Sequence, residues 1–135
     1  MKRAIVLAIA ILMTLSLCAC GAATRYYQQR ADLYMYNERM DGFSRVGKDE
    51  KCYITVSGKQ VALYYWDNVY AGEWLKGEGD QLVLWDVDPY IWADFKYNFT
   101  TMEKVSGGYN MTIDYTYDTG DGQRAYLEDR YQFRK

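Results

Sequence analysis

From residue 31 onward the chain reads as strand-like runs, two of which alternate apolar with polar residues at a period of two, the spacing that sends successive side chains to opposite faces of a strand. The clearest run is 109–118, where Tyr109, Met111, Ile113, Tyr115 and Tyr117 fall on one side, against Asn110, Thr112, Asp114, Thr116 and Asp118. In 124–133, Ala125, Leu127, Tyr131 and Phe133 share a side that a single charged residue, Asp129, interrupts. Shorter runs rich in Tyr, Val, Ile, Trp and Thr cover 32–36, 42–46, 51–57, 60–66, 72–76, 81–88, 90–99 and 101–105. Most of them end at glycine-bearing turns such as Gly58-Lys59, 77–80, 106–108 and 119–122, the punctuation expected of hairpins.

Short gaps make consecutive strands neighbours, and hairpins make them antiparallel. About eight to ten strands in series can close on themselves and so remove their exposed edges. The expected fold is therefore all-β, an antiparallel up-and-down barrel, with a two-sheet β-sandwich as the alternative.

The first thirty residues do not alternate. Lys2 and Arg3 precede an uncharged apolar run over 4–17, followed by Leu17-Cys18-Ala19-Cys20-Gly21. A positive start, a short apolar stretch and a small residue before the cut are the parts of an export signal. The Leu-Cys-Ala-Cys sequence resembles the lipobox of bacterial lipoprotein precursors. That resemblance implies removal of residues 1–19 and a diacylglyceryl group on the sulfur of Cys20. Two acyl chains anchor stably where one binds only marginally. The chain would divide into a signal peptide over 1–19, a lipidated tether over 20–30 and a single β domain over 31–135. The uncharged stretch 4–24 leaves an uncleaved membrane helix as the competing reading. The implied location is the cell envelope, outside the cytoplasmic membrane. Gly21 rather than Asp follows the cysteine, so in a host with two membranes the outer one is expected.

A second resemblance spans most of the exported part. Lys51-Cys52-Tyr53-Ile54-Thr55-Val56-Ser57-Gly58, then Gly72-Glu73-Trp74, Leu82-Val83-Leu84 and a closing Tyr131-Gln132-Phe133-Arg134 are similar to small lipocalin-like lipoproteins of gut bacteria. It implies a lipocalin-like barrel. The Gly-x-Trp that lipocalins carry near their first strand is missing, since Gly72 and Trp74 sit mid-chain.

Charge and composition narrow the chemistry. The whole chain carries a net charge of −2, and loss of Lys2 and Arg3 makes the exported part more acidic. Its charges are interspersed, so nucleic acid, which needs a basic patch, is not an expected partner. There is no histidine, the commonest general base and metal ligand. Cys52 would be the lone cysteine of the mature chain. It shares a strand face with Ile54 and Val56, which makes it a core residue rather than a nucleophile. Asp86, Asp88 and Asp94 lie near one turn and could form an acid–base pair, although carboxylates at turns usually cap backbone. The stretch 118–122 lacks the ligand series of a calcium loop and reads as a hairpin turn. No metal and no cofactor are expected.

Aromatic residues stand out, with 15 Tyr, 4 Trp and 4 Phe, and Tyr and Trp make good contact surfaces as well as good strand formers. Neighbours on a strand face opposite ways. Tyr65 sides with Val61 and Leu63, so Tyr64 and Trp66 point outward. In 90–99 a mixed face of Tyr90, Trp92, Asp94, Lys96 and Asn98 opposes an apolar one that ends at Phe99. Tyr64, Trp66, Tyr90, Trp92 and Asp94 are the candidate ligand-binding residues. The expected function is a non-enzymatic envelope lipoprotein, held to the membrane through Cys20, whose barrel binds a small apolar or amphipathic ligand. The alternative is an interaction protein showing an aromatic outer patch to a glycan or an envelope protein, and a carboxylate hydrolase comes third.

Overall fold

The computed structural model describes residues 24–36, 40–89, 95–118 and 120–135, with 95–97 as backbone only. Eight strands form one closed antiparallel barrel in sequence order: β1 Arg25–Tyr36, β2 Met40–Ser57, β3 Gln60–Tyr65, β4 Asn68–Trp74, β5 Leu82–Trp85, β6 Phe95–Val105, β7 Gly108–Asp118 and β8 Arg124–Arg134. β1 closes the ring on β8, from Tyr27 opposite Arg134 to Tyr36 opposite Tyr126. This is the up-and-down, lipocalin-like topology rather than a two-sheet sandwich.

The period-two pattern fills the interior. Tyr109, Met111, Ile113 and Tyr115 of β7 are buried, as are Ala125, Tyr131 and Phe133 of β8 and Cys52 and Ile54 of β2. Val61 and Leu63 point in, with Tyr65 packed against the same core. Fully burying a side chain of this size contributes roughly 1.5–3 kcal/mol, so one alternating strand supplies a large part of the stability of so small a barrel. Gly72 is buried because Trp85 lies over it; a Cβ there would come 2.8 Å from both the Leu84 carbonyl oxygen and the Trp85 ring.

Several boundaries differ from the sequence expectation. β1 starts at Arg25, so residues 25–30, expected in the tether, belong to the barrel. The runs 42–46 and 51–57 are one strand, because β2 passes Gly47 with register shifts against β1 instead of breaking. The runs ending at Phe99 and starting at Thr101 likewise join in β6. Trp66 lies beyond β3 in a two-residue turn with Asp67, and β4 begins at Asn68, well before the expected Gly72.

Strand directions separate two ends. At one lie the start of β1, the Gly58-Lys59 and Ser106-Gly107 turns, residues 75–81 and Lys135. Trp74, Tyr109 and Phe133 fill this packed end, with Tyr26 and Trp74 each set edge-on to Tyr109 at 5.0 and 5.5 Å. The opposite end carries the β1–β2, β3–β4, β5–β6 and β7–β8 connections.

Candidate functional site

Among the described residues, unequal strand lengths leave the second end open. β3 stops at Tyr65, opposite Cys52, whereas β2 runs on to Met40 beside β1. Above Tyr65 the barrel is therefore a curved wall of β2, β1, β8, β7 and β6, which stays beside β7 up to Phe95 opposite Tyr117. Inward positions there are set by cross-strand register: Leu33 faces Phe43 on one side and Asp129 on the other, and Met35 stands between Asp41 and Leu127. With no β3 residues opposite, these side chains do not meet a filled core. Phe43 is 60% exposed and Met35 43% exposed although both point to the concave side. They border a cavity of about 570 Å³ whose floor is Tyr65, Tyr115, Asp129 and Tyr131. That volume lies within the range of small-molecule sites, roughly 300–1,000 Å³.

Asp129 is the charged interruption in the alternation of β8, and it faces inward at 5% exposure. The phenol of Tyr115 donates to its Oδ1 at 3.2 Å and that of Tyr131 to its Oδ2 at 3.1 Å. Accepting at both oxygens suits the ionised carboxylate, because the protonated form keeps one oxygen as a donor. Burial raises the Tyr115 phenol pKa, and the charge of Asp129 raises it further. Tyr65 is also pushed up by burial, against the lowering pull of Arg45, which hydrogen-bonds to it. Arg45 borders a separate shallow recess with Gln28 and residues 46–51, not the cavity above Asp129.

Of the candidates proposed from sequence, Tyr64 and Trp66 do not border this cavity. Tyr64 is on the outer face, stacked on Tyr53 at 4.4 Å and 10° between planes, with Tyr27 next in the row at 5.5 Å from Tyr53. Arg25 lies over the Tyr53 ring at 4.9 Å and Lys48 over Tyr27 at 4.4 Å. Trp66 is outward as expected, 53% exposed, with the Lys51 ammonium 4.9 Å from its ring. Cys20, Tyr90, Trp92 and Asp94 lie outside the described residues.

The faces of the run 90–99 are reversed where they can be read. Phe99, assigned to the apolar side, is 39% exposed, while Thr100 is buried and Asn98 half-buried on the inner side. A relay of hydrogen bonds makes the polar side tolerable inside: Trp85 Nε1 donates to Thr100 Oγ1 at 2.9 Å, Thr100 to Asn98 Oδ1 at 3.0 Å, and Asn98 Nδ2 to Asp88 Oδ1 at 2.8 Å. Asp88 thus serves this relay, and Asp86 is exposed. The stretch 118–122 is part of the β7–β8 connection, where Asp121 Oδ1 accepts from the Gln123 amide at 3.2 Å and Arg124 sits 3.6 Å from Asp118. Cys52 is fully buried, and desolvation pushes its thiol up to about 12, the reverse of what a nucleophile needs. Among the described residues no three His, Cys, Asp or Glu side chains converge as a metal site.

Sequence reasoning passed over Leu33, Phe43 and Tyr115 as ordinary strand residues. The one signal available was Asp129, a carboxylate on an otherwise apolar face. Comparison of the chain with protein-family models, with curated proteins and with solved structures finds no match, so the function is read from this geometry alone.

Proposed function

We propose that the protein is an envelope lipoprotein, anchored through Cys20, whose barrel holds a small amphipathic ligand at its open end without catalysing its conversion. The observation that carries this reading is the cavity that the described residues leave, with Phe43 and Met35 exposed on its concave side above a polar floor of Tyr115, Asp129 and Tyr131. Apolar walls with a few placed polar groups are the usual composition of a ligand site. The anchor fits the same arrangement. β1 begins at Arg25 at the packed end, so a lipid on Cys20 would hold that end toward the membrane. The few intervening residues reach at most about 3.5 Å each, and the open end would face away.

Titration with N-phenyl-1-naphthylamine, a neutral dye that brightens in apolar sites, tests the cavity. Wild type should bind it, and Leu33→Trp, which fills the space beside Phe43, should not. Equal dye binding by a folded Leu33→Trp protein would remove the cavity from the account. Mass spectrometry of membrane fractions tests the anchor: the wild-type chain should begin at a lipidated Cys20, and Cys20→Ser should lack the lipid.

A second reading is supported by the outer row Tyr27-Tyr53-Tyr64 with its cations, which offers flat aromatic surface to a glycan or an envelope protein. Binding of that kind would survive Leu33→Trp and be lost in Tyr53→Ser with Tyr64→Ser.

A further inference from the structure

We propose that the recess beside the bulge of β2 is a separate binding site, for an acidic saccharide of the uronic-acid class, its carboxylate at Arg45 and its ring against Trp66. Surplus chain makes the site. Seven residue steps of β2, from Tyr53 to Val46, run beside three of β1, from Tyr27 to Arg30, so β2 bulges over 47–51, with Gly47 at φ 132°. β3 ends at Tyr65, opposite Cys52, and among the described residues no strand pairs with this edge of the bulge. The space of about 660 Å³ that results is bordered by Gln28, Arg45, the bulge and Trp66. Bulges are frequent next to functional sites, where they re-aim side chains.

Arg45 supplies the charge. It stands half-buried opposite Ala31 on the inner side of β2 and hydrogen-bonds to Tyr65. Its Nε has no acceptor, and among the described residues no carboxylate forms an ion pair with it. A charge drawn out of water is ordinarily compensated by an opposite one. The two carboxylates of the recess are engaged elsewhere: Asp49 accepts from the Lys51 amide at 2.9 Å, and Glu50 pairs with Lys48 at 3.4 Å. Compensation of Arg45 is therefore left to a ligand. Gln28, 1% exposed with its Oε1 unpartnered, is a second polar group of the recess whose bonding the fold leaves unmet.

Trp66 supplies the platform. Its N–H donates to the Lys51 carbonyl at 2.8 Å, which fastens the turn to the bulge, and its ring is 53% exposed. At φ 56° it holds a backbone conformation natural to glycine. A large ring carried there without serving the core is backbone strain of the kind found at ligand sites. Apart from Trp66 and Val46 the border is polar, so a flat apolar ligand would leave its amines, amide and carboxylates unpaired, whereas sugar hydroxyls donate and accept at once. Arg45, Lys48 and Lys51 outnumber Asp49 and Glu50, which favours an acidic sugar over a neutral one.

Calorimetric titration of the protein with methyl glucuronide, methyl glucoside and benzoate separates charge from ring. Methyl glucuronide should bind about tenfold more tightly than methyl glucoside, the worth of one modest charge interaction, and more tightly than benzoate. Arg45→Gln should bring the glucuronide down to the level of the glucoside. Trp66→Gly removes the ring without burdening the fold, and should weaken glucuronide binding about fivefold or more while N-phenyl-1-naphthylamine binding in the cavity stays unchanged. If Arg45→Gln does not fold by near-ultraviolet circular dichroism, the wild-type ranking and Trp66→Gly decide the matter. Glucoside or benzoate binding as tightly as the glucuronide, no binding of the glucuronide, or a glucuronide affinity untouched in Trp66→Gly overturns the inference, and each of these leaves the cavity reading standing.

Discussion

Tyr115 and Asp129 meet diagonally across β7 and β8, phenol to carboxylate at 3.2 Å, on the inner face where the filled core gives way to open space. Tyr131 reaches the other oxygen at 3.1 Å, so one buried charge is shared by two donors. A hydrogen bond to a charged group contributes about 1.5–3 kcal/mol, and removing a donor withdraws part of the solvation that folding has replaced. Tyr115→Phe and Tyr131→Phe should each lower the urea-unfolding free energy by about 1–3 kcal/mol. Because they share one partner, the double variant should lose more than the sum, by about 0.5 kcal/mol or more. Simple additivity would mean that the two phenols do not act on the same carboxylate.

Asp114 and Glu128 stand directly opposite each other on the outer face of β7 and β8. Burial raises the pKa of Asp114 and the charge of Glu128 raises it further. A carboxyl raised on folding supports the native state below its unfolded pKa and withdraws that support as pH rises through the folded value. Asp114→Asn should therefore be more stable than wild type at neutral pH, by about 0.2–1 kcal/mol for a like-charged cross-strand pair. The gap should shrink as pH falls below about 4, where both forms are neutral at this position. Chemical denaturation at pH 7 and pH 3 measures it, and a larger gap at pH 3 would reverse the sign assigned here.

The thiol of Cys52 has no solvent exposure and titrates near 12 because burial disfavours the thiolate. At pH 8 the folded protein should react with 5,5′-dithiobis(2-nitrobenzoate) only as fast as it opens, and in denaturant the same thiol should react at once. Rapid labelling of folded protein would place Cys52 outside the core.

Much of the barrel was legible because its inner face is nearly all apolar. β7 could be read residue by residue, and Val61, Leu63, Cys52 and Ile54 fell on the correct side. Reading failed where hydrogen bonds replaced hydrophobicity as the signal. Asn98 and Thr100 point inward because Trp85 and Asp88 bond them, and Phe99 is left outside, so no pattern of polarity could assign that face. It failed again at long-range geometry. Nothing local marks that β2 outruns β3, yet that difference is what leaves Phe43 and Met35 beside open space. The gap between the runs 42–46 and 51–57 is bridged by β2, in which Gly47 takes a φ of 132° amid register shifts against β1. Asp129 was visible as an exception, and its role emerged only with Tyr115 and Tyr131 around it.

Trp66 concealed a turn. It occupies the first position of the two-residue β3–β4 connection with φ 56°, the place that Gly58 holds at 59° in the β2–β3 turn. Glycine adopts this left-handed region freely, whereas other L-residues lose about 1–2 kcal/mol there. Against that stands the contact of the exposed ring with Lys51 at 4.9 Å, worth about 0.5–1 kcal/mol at such a site. Trp66→Gly should thus match wild-type stability or exceed it by up to about 1 kcal/mol. Trp66→Ala keeps the strained backbone while losing the ring, and should fall below wild type by about 0.5–1 kcal/mol. Trp74, only 4% exposed at the packed end, supplies the contrast, since its truncation to Ala should lose about 3–5 kcal/mol. Urea midpoints of the three variants give the order directly. If Trp66→Gly proved as damaging as Trp74→Ala, the ring at position 66 would belong to the core, and β3 would have to continue through it.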